Sequence, residues 1–249
     1  LRVEARLRSP LPSHGGGDYV GGVALGGGEG WLEVAAKDDS DSLELYFSKV
    51  HRAQTSQADL FRSLGKGMAD AVFSGRGGCV VALGAPGAGK TYGLMGELGE
   101  YGRMGLVPRL ISEILERLGR RVTRGGGAAP AAPAWLAVSQ YQVSAAGVRD
   151  LLAAGDAAAR GKGADGAGCT GAATQVRVER LADALLVLER GERVARRLAP
   201  LAPGGVAHTF TVLTLFRERA APAAPAEVGA LAAVEVCGAL DSRAAREEA

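Results

Sequence analysis

Aromatic residues are scarce in this chain: five Tyr, five Phe and two Trp, 5% of 249 residues. A core built on large rings is excluded. Much of the remainder is alanine and glycine, which contribute little burial energy per residue, although the 47% apolar content still suffices for a sizeable core. Cysteine is almost absent. Cys79, Cys169 and Cys237 show no paired spacing, which excludes a disulfide framework or a patterned zinc site and fits a reducing compartment. Cys79 and Cys237 sit in apolar, strand-like runs, where buried thiols are expected. Neither sign of charge dominates, since 29 basic and 27 acidic residues leave +2, and no strongly electrostatic nucleic-acid partner is indicated. No basic-then-apolar leader opens the sequence and no apolar run approaches membrane-spanning length. The expectation is a protein of the cytoplasm or cytoskeleton with no membrane partner, long enough for one large domain or two small ones.

What the chain has in quantity is glycine, 38 residues, and one stretch gives that abundance a purpose. Cys79 to Gly96 reads CVVALGAPGAGKTYGLMG. Five apolar residues bounded by glycine read as a buried strand. Gly84-Ala85-Pro86-Gly87-Ala88-Gly89-Lys90-Thr91 then matches the phosphate-binding pattern G-x-x-x-x-G-K-[ST] at every fixed position. Glycines let the backbone curl so that successive N–H groups point at a polyphosphate. Lys90 is placed to reach the outer phosphates, and the Thr91 hydroxyl to complete the shell of a Mg ion. A glycine-rich background raises the chance of an accidental match. The strand before the motif and the helix start after it are the context that confirms one.

Around this centre the pattern alternates strands and helices. Residues 1–8 read as a first strand ended by Pro10 and Pro12, 13–30 as glycine-rich loop, and 31–36 and 43–47 as short strands. From Thr55, Leu60, Leu64, Met68 and Val72 recur at helical spacing until Ser74-Gly75. Leu106, Leu110, Ile114 and Leu118 mark a second helix, and Leu181, Leu185, Leu188 and Val194 a third. The arginines at 193, 196 and 197 suit that helix's C-terminal end as a solvated face. Strands are expected at 135–143, 209–216 and 228–236, and a helical turn at GVRDLL. The low-complexity segments at about 123–134 and 153–173 read as insertions. The whole predicts an α/β domain over 1–249, a central, mostly parallel sheet with helices on both faces.

The order of these parts resembles a kinesin motor domain. Kinesins typically read IFAYGQTGSGKTYTMMG where this chain reads VVALGAPGAGKTYGLMG. TSQADLF resembles S-T-Q-x-x-V-F, GLVPRLISEIL resembles G-I-I-P-R-x-x-x-x-I-F, and VSQYQVSAAGVRDLL resembles V-S-x-x-E-I-Y-N-E-x-I-x-D-L-L. Gln142 stands at the family's glutamate and Ala145 at its asparagine. VEARLRSPLP resembles the R-x-R-P segment that contacts adenine. Arg6 and Arg8 match it, with Ser9 intervening before Pro10. The resemblance implies a P-loop NTPase fold and a nucleotide site of Gly84 to Thr91, Tyr92, Arg6, Arg8 and Pro10. Its cofactors would be ATP or ADP with Mg, and its partners microtubules, tubulin or microtubule-associated proteins.

Two switch segments depart from the family. N-x-x-S-S-R-S-H is here Leu201-Ala202-Pro203-Gly204-Gly205-Val206-Ala207-His208, so only the histidine survives. D-L-A-G-S-E is here Glu235-Val236-Cys237-Gly238-Ala239-Leu240, which keeps a carboxylate and the glycine N–H. The switch arginine and switch glutamate that pair in the family are Val206 and Leu240, so both charges are absent together. Residues that place water and stabilise developing charge are missing, and no catalytic residue is assigned. His208 reads as a structural histidine at a strand start in preference to a lone base. The chain also stops soon after the second switch, so the C-terminal part of the motor fold is expected to be lacking. The resulting expectation is a non-walking, structural component of a larger microtubule assembly such as a ciliary or flagellar axoneme, with very slow hydrolysis or none. The alternatives are an active ATP-driven motor completed outside this chain, and an unrelated P-loop kinase or GTPase, for which no guanine-specificity segment or acceptor site is evident.

Overall fold

A computed structural model describes residues 2–7, 23–25, 30–35, 42–85, 87–123, 133–153, 173–198, 206–218 and 226–236. Arg8, Pro10, Pro86, Gly238, Leu240, Cys169, Cys237 and nearly all of both low-complexity segments lie outside the described residues. The chain separates into two compact units, Leu1–Leu60 and Phe61–Ala249.

In the smaller unit, β1 (Glu4–Arg6) runs parallel to β5 (Lys49–His51), and β2 (Val23–Leu25), β3 (Trp31–Ala35) and β4 (Ser42–Tyr46) form an antiparallel sheet. His51 Nε2 lies 2.6 Å from Glu4 Oε2, with both side chains only 3% exposed, and Arg2 pairs with the same carboxylate. Helix α1 (Gln57–Phe73) starts here. Ser56 Oγ caps it, accepting from Asp59 N at 3.1 Å and donating to Asp59 Oδ2 at 2.7 Å.

The larger unit begins at Phe61 and takes in the rest of α1. Gly75 takes a positive φ of 75°, Gly75 N donates to Val72 O and Arg76 N to Ala71 O. That pair of bonds is a Schellman stop, which explains why Ser74-Gly75 terminates the helix. Then follow β6 (Gly78–Ala82), the short α2 (Lys90–Leu94), α3 (Leu106–Thr123), β7 (Ala134–Ser144), β8 (Gly147–Asp150), β9 (Val176–Val178), α4 (Leu181–Leu198), β10 (Ala207–Arg217) and β11 (Ala226–Glu235). The sheet order is β6-β11-β10-β7-β8, with β9 also on β7.

Among the described pairings of this sheet only β6–β11 is parallel and the others are antiparallel, so the sheet is mixed where a mostly parallel one was expected. The reason lies in the connections. Residues 218–225 between β10 and β11 are too few for the helical crossover that a parallel neighbour needs. The GVRD of GVRDLL is likewise strand and not the expected helical turn. Ala145-Ala146 turn the chain with Gly147 at φ 111°, and Val148 pairs with Val143. Asp150 then ends the strand, its carboxylate accepting from Leu152 N, Ala153 N and Thr174 N.

Alternate residues of the strands make one apolar face: Leu136 and Val138, Leu213 and Leu215, Leu231 and Ala233. Against it pack Val72 of α1, Leu94 of α2, Leu110 and Ile114 of α3, and Leu188 of α4. Helices were expected on both faces; among the described residues α1–α4 share this one. On the other face Tyr141 stacks on Phe210 and Trp135 on Phe216. There Cys79 and Val81 of β6, and Leu83 just after it, face solvent. The strand expected to be buried is thus half-buried on one side and exposed on the other, and the Cys79 thiol expected inside is exposed. Its strand borders the sheet, and its outward residues point away from the helices. Among the described residues no helix is long and apolar enough to cross a membrane.

Candidate nucleotide site

The loop after β6 turns on glycine. Gly84, Gly87 and Gly89 hold φ of 153°, 69° and 87°, conformations that side-chain-bearing residues rarely adopt. A Cβ at Gly84 would stand 3.1 Å from that of Ala88, so the loop closes on itself too tightly for a larger residue. Ala88 N donates to Ala85 O at 3.0 Å inside the turn. Gly89 precedes α2 with no side-chain cap, which leaves the first N–H groups of that helix for another acceptor. Lys90 folds back across the loop, Nζ donating to Gly84 O and Ala85 O at 3.0 Å each.

Thr91 and Glu235 meet although 144 residues separate them. Thr91 Oγ1 lies 2.7 Å from Oε1 and 2.9 Å from Oε2 of the carboxylate, to which it donates. The parallel pairing sets this up: Ala82 is in register with Glu235, and Val236 N donates to Ala82 O at 3.2 Å. Both strands therefore end together beneath the loop. Thr209 sits opposite Glu235, and Gln142 opposite Thr209, so a polar row crosses the sheet from this point.

Sequence reasoning missed Glu192 on α4. Its side chain is 14% exposed and bonds Arg196 at 3.0 Å. Burial pushes its carboxyl above the usual range, Arg196 pulls it down, and the Glu235 carboxylate pushes it up again. The i,i+4 spacing of Glu192 and Arg196 was the available signal, but it marks a surface pair as readily as a site residue. Next to it, Gly191 packs on buried Gln140, where a Cβ would fall 2.0 Å from Oε1. Gln140 Nε2 donates to Thr211 Oγ1 at 3.1 Å, and Oε1 has no protein partner.

The remaining predicted residues are spread out. Tyr92 is exposed on α2. Arg6 belongs to the smaller unit, where it donates to Gln57 Oε1 at 3.2 Å and Thr55 O at 3.4 Å. His208 is the second residue of β10, half-buried, in register with Val143. Val206 is half-buried just before that strand.

The residues present fit a magnesium nucleotide. A hydroxyl and a carboxylate are the hard oxygen donors that Mg prefers, and the loop's glycines hold the positive φ values that let its backbone curl. Among the described residues no group of three or more His, Cys, Asp or Glu is poised to hold a metal by itself. Thr91 and Glu235 would hold Mg together with oxygens of the nucleotide, and the bound ion would supply charge neutralisation at the phosphates.

A family model described as the kinesin motor domain matches residues 32–203. The kinesin-like protein KIN-14N of Oryza sativa subsp. japonica is 27% identical over 158 residues, 61% of this chain and 19% of the relative. The kinesin heavy chain of Caenorhabditis elegans is 31% identical over 91 residues, 35% of this chain and 11% of the relative. This chain thus spans about a fifth or less of the length of these two relatives. Among solved structures, a fast kinesin superposes with a TM-score of 0.75 at 21% identity, covering 96% of this chain and 65% of the other. Drosophila NOD, docked with bovine tubulin in its nucleotide-free microtubule complex, superposes at 0.70 with 20% identity over 95% of this chain and 70% of its own. With the family model matched over residues 32–203, more than half of the sequence, the chain belongs to the kinesin motor-domain family.

Proposed function

We propose that this chain is a microtubule-associated module that grips MgATP or MgADP between Gly84 and Thr91 and does not walk. Turnover is very slow or absent, and the module is a structural component of a larger cytoskeletal assembly such as a ciliary or flagellar axoneme. The observation that carries this reading is a contrast within one site. Thr91 and Glu235 are assembled beneath a glycine loop. At the sequence positions that resemble the family's switch segments, by contrast, stand glycine, alanine, Val206 and Leu240. Gripping depends on backbone N–H groups, Lys90 and Thr91, whereas splitting needs an oriented water and a compensated transition-state charge. Glu235 keeps the carboxylate beside Thr91, and His208 at a strand start supplies no positioned base.

Single-turnover hydrolysis of ATP with and without microtubules tests the reading. The expected result is MgATP binding that Lys90→Ala abolishes, with no microtubule-stimulated phosphate release. Stimulated release at motor rates would overturn it. That outcome belongs to the second reading, an active ATP-driven motor whose other parts lie outside this chain. In its favour stands the small share of each relative that the chain spans.

A further inference from the structure

Helix α4 carries a second pattern on the side away from the sheet. Ala184, Leu188 and Gly191 are buried toward the strands. At 3.6 residues per turn, Leu186, Arg190, Arg193 and Arg197 fall within about 60° of arc on the opposite side, a row spaced i, i+4, i+7, i+11. All four are exposed, and the stripe they make is about 16 Å long. Leu186, at its head, is 66% exposed.

The guanidiniums of this stripe have donors to spare. Arg193 donates to Glu189 Oε1 at 2.9 Å, a bond that uses one of its five N–H groups. Arg190 donates to a backbone carbonyl, Ala153 O at 3.2 Å, which satisfies a donor without supplying a countercharge. Among the described residues Arg197 has no hydrogen-bond or ion-pair partner. The helix dipole accounts for cations in the last turn, where Arg196 and Arg197 stand. It does not account for Arg193 and Arg190, one and two turns earlier. Every basic residue of α4 is arginine, the cation enriched at protein interfaces, where lysine is depleted.

We propose that the outward stripe of α4 is a docking surface for an acidic protein segment. Its carboxylates would align with Arg190, Arg193 and Arg197, and an apolar side chain would cover Leu186. Charge complementarity selects this occupant, since planar guanidinium forks match carboxylates two donors to two oxygens. A nucleic-acid site would add aromatic side chains for the bases and a basic surplus, whereas the stripe has no aromatic and the chain's net charge is +2. A membrane surface would need a broad apolar face, and here a single leucine stands in the stripe. The surface is independent of whether the loop at Gly84–Thr91 holds a nucleotide.

The experiment follows fluorescence anisotropy of two labelled probes added to the full chain: a short glutamate peptide ending in leucine, and its all-glutamate analogue. Arg190→Gln, Arg193→Gln and Arg197→Gln should each weaken the leucine-ended peptide about threefold, the scale of an exposed charge pair, and the triple variant roughly twentyfold. Leu186→Ala should weaken that peptide about threefold and leave the all-glutamate probe unchanged. Arg120→Gln on α3, an equal change of charge at another exposed arginine, should leave both unchanged. Losses no larger than that of Arg120→Gln would reduce the effect to net charge and overturn the proposal. So would a wild-type chain that binds neither peptide, or one that binds a DNA duplex or phosphatidylserine vesicles more tightly through the same three arginines. Arg197 touches no described residue, so Arg197→Gln keeps the test open if another variant folds poorly.

Discussion

The two faces of the larger sheet have been treated differently. On the helix side, Leu136, Val138, Leu213 and Leu231 are fully enclosed by α1–α4. On the other side the middle strands are closed over at Tyr141 and Val234, yet Val81 of β6 is 48% exposed and Leu83, just after the strand, 73%. The strand that carries the phosphate loop is therefore held by one face and one edge. Among the described residues, what anchors the loop is the core beneath it and the pairing to β11, not a sandwich of helices. A parallel pair normally sits between two covered faces, and here that holds on one side of β6 only.

The largest effects should separate the faces. Leu213→Ala is expected to cost about 3 kcal/mol in chemical denaturation, because the cavity lies among side chains that cannot collapse into it. Leu83→Ala on the outward side should stay within about 0.5 kcal/mol. Equal costs would erase the distinction. Gly229→Ala tests closeness on the helix side, where the new Cβ would come 2.4 Å from Val72 O of α1. About 2 kcal/mol of destabilisation is expected, since backbone must shift to make room. Gly191→Ala should cost a similar or slightly smaller amount, because Gln140 is a side chain and yields more easily than main chain.

Smaller effects sharpen the comparison through protonation. Burial holds the Glu192 carboxyl above its unfolded value, with Arg196 opposing and Glu235 reinforcing that shift. The folded state then holds this proton more tightly than the unfolded chain. Its stabilising contribution is complete below the unfolded pKa and is lost as pH rises through the raised folded value. Glu192→Gln should therefore raise the thermal midpoint slightly at pH 7, with the gain disappearing as pH falls below the carboxylate range. A gain that grew in acid would reverse the assignment. Least perturbing is the outward thiol. Cys79 should label in the folded protein without denaturant, as peptide mapping would show. Partial burial pushes its thiol up, so labelling should be slow at neutral pH and speed up above the ordinary thiol range. Protection until unfolding would mean that the outer side of β6 is covered.

Local chemistry was legible without coordinates. Gly84 to Thr91 is a contiguous spacing, Gly75 a local helix stop, and the stripe of Leu110, Ile114 and Leu118 a local period. Each is settled by residues within a few positions of one another. The misreadings share one cause. GVRDLL has a helix-compatible composition, yet pairing of Val148 with Val143 across a two-residue turn outweighs it. Cys79 sits in an apolar run whose period says nothing about which side the helices occupy. Glu192 looked like part of a solvated arginine-rich helix end, because its neighbour Glu235 is remote in sequence.

Composition and motif spacing alone thus specified a glycine loop between strand and helix and the lysine and threonine that follow it. They did so because a phosphate cradle is built from consecutive backbone N–H groups. Folding decided that Thr91 faces Glu235, that Gln140 presses on Gly191, and that β6 is covered on one side only. Those outcomes depend on strand order and register, which join residues more than a hundred positions apart and leave no mark in any local pattern.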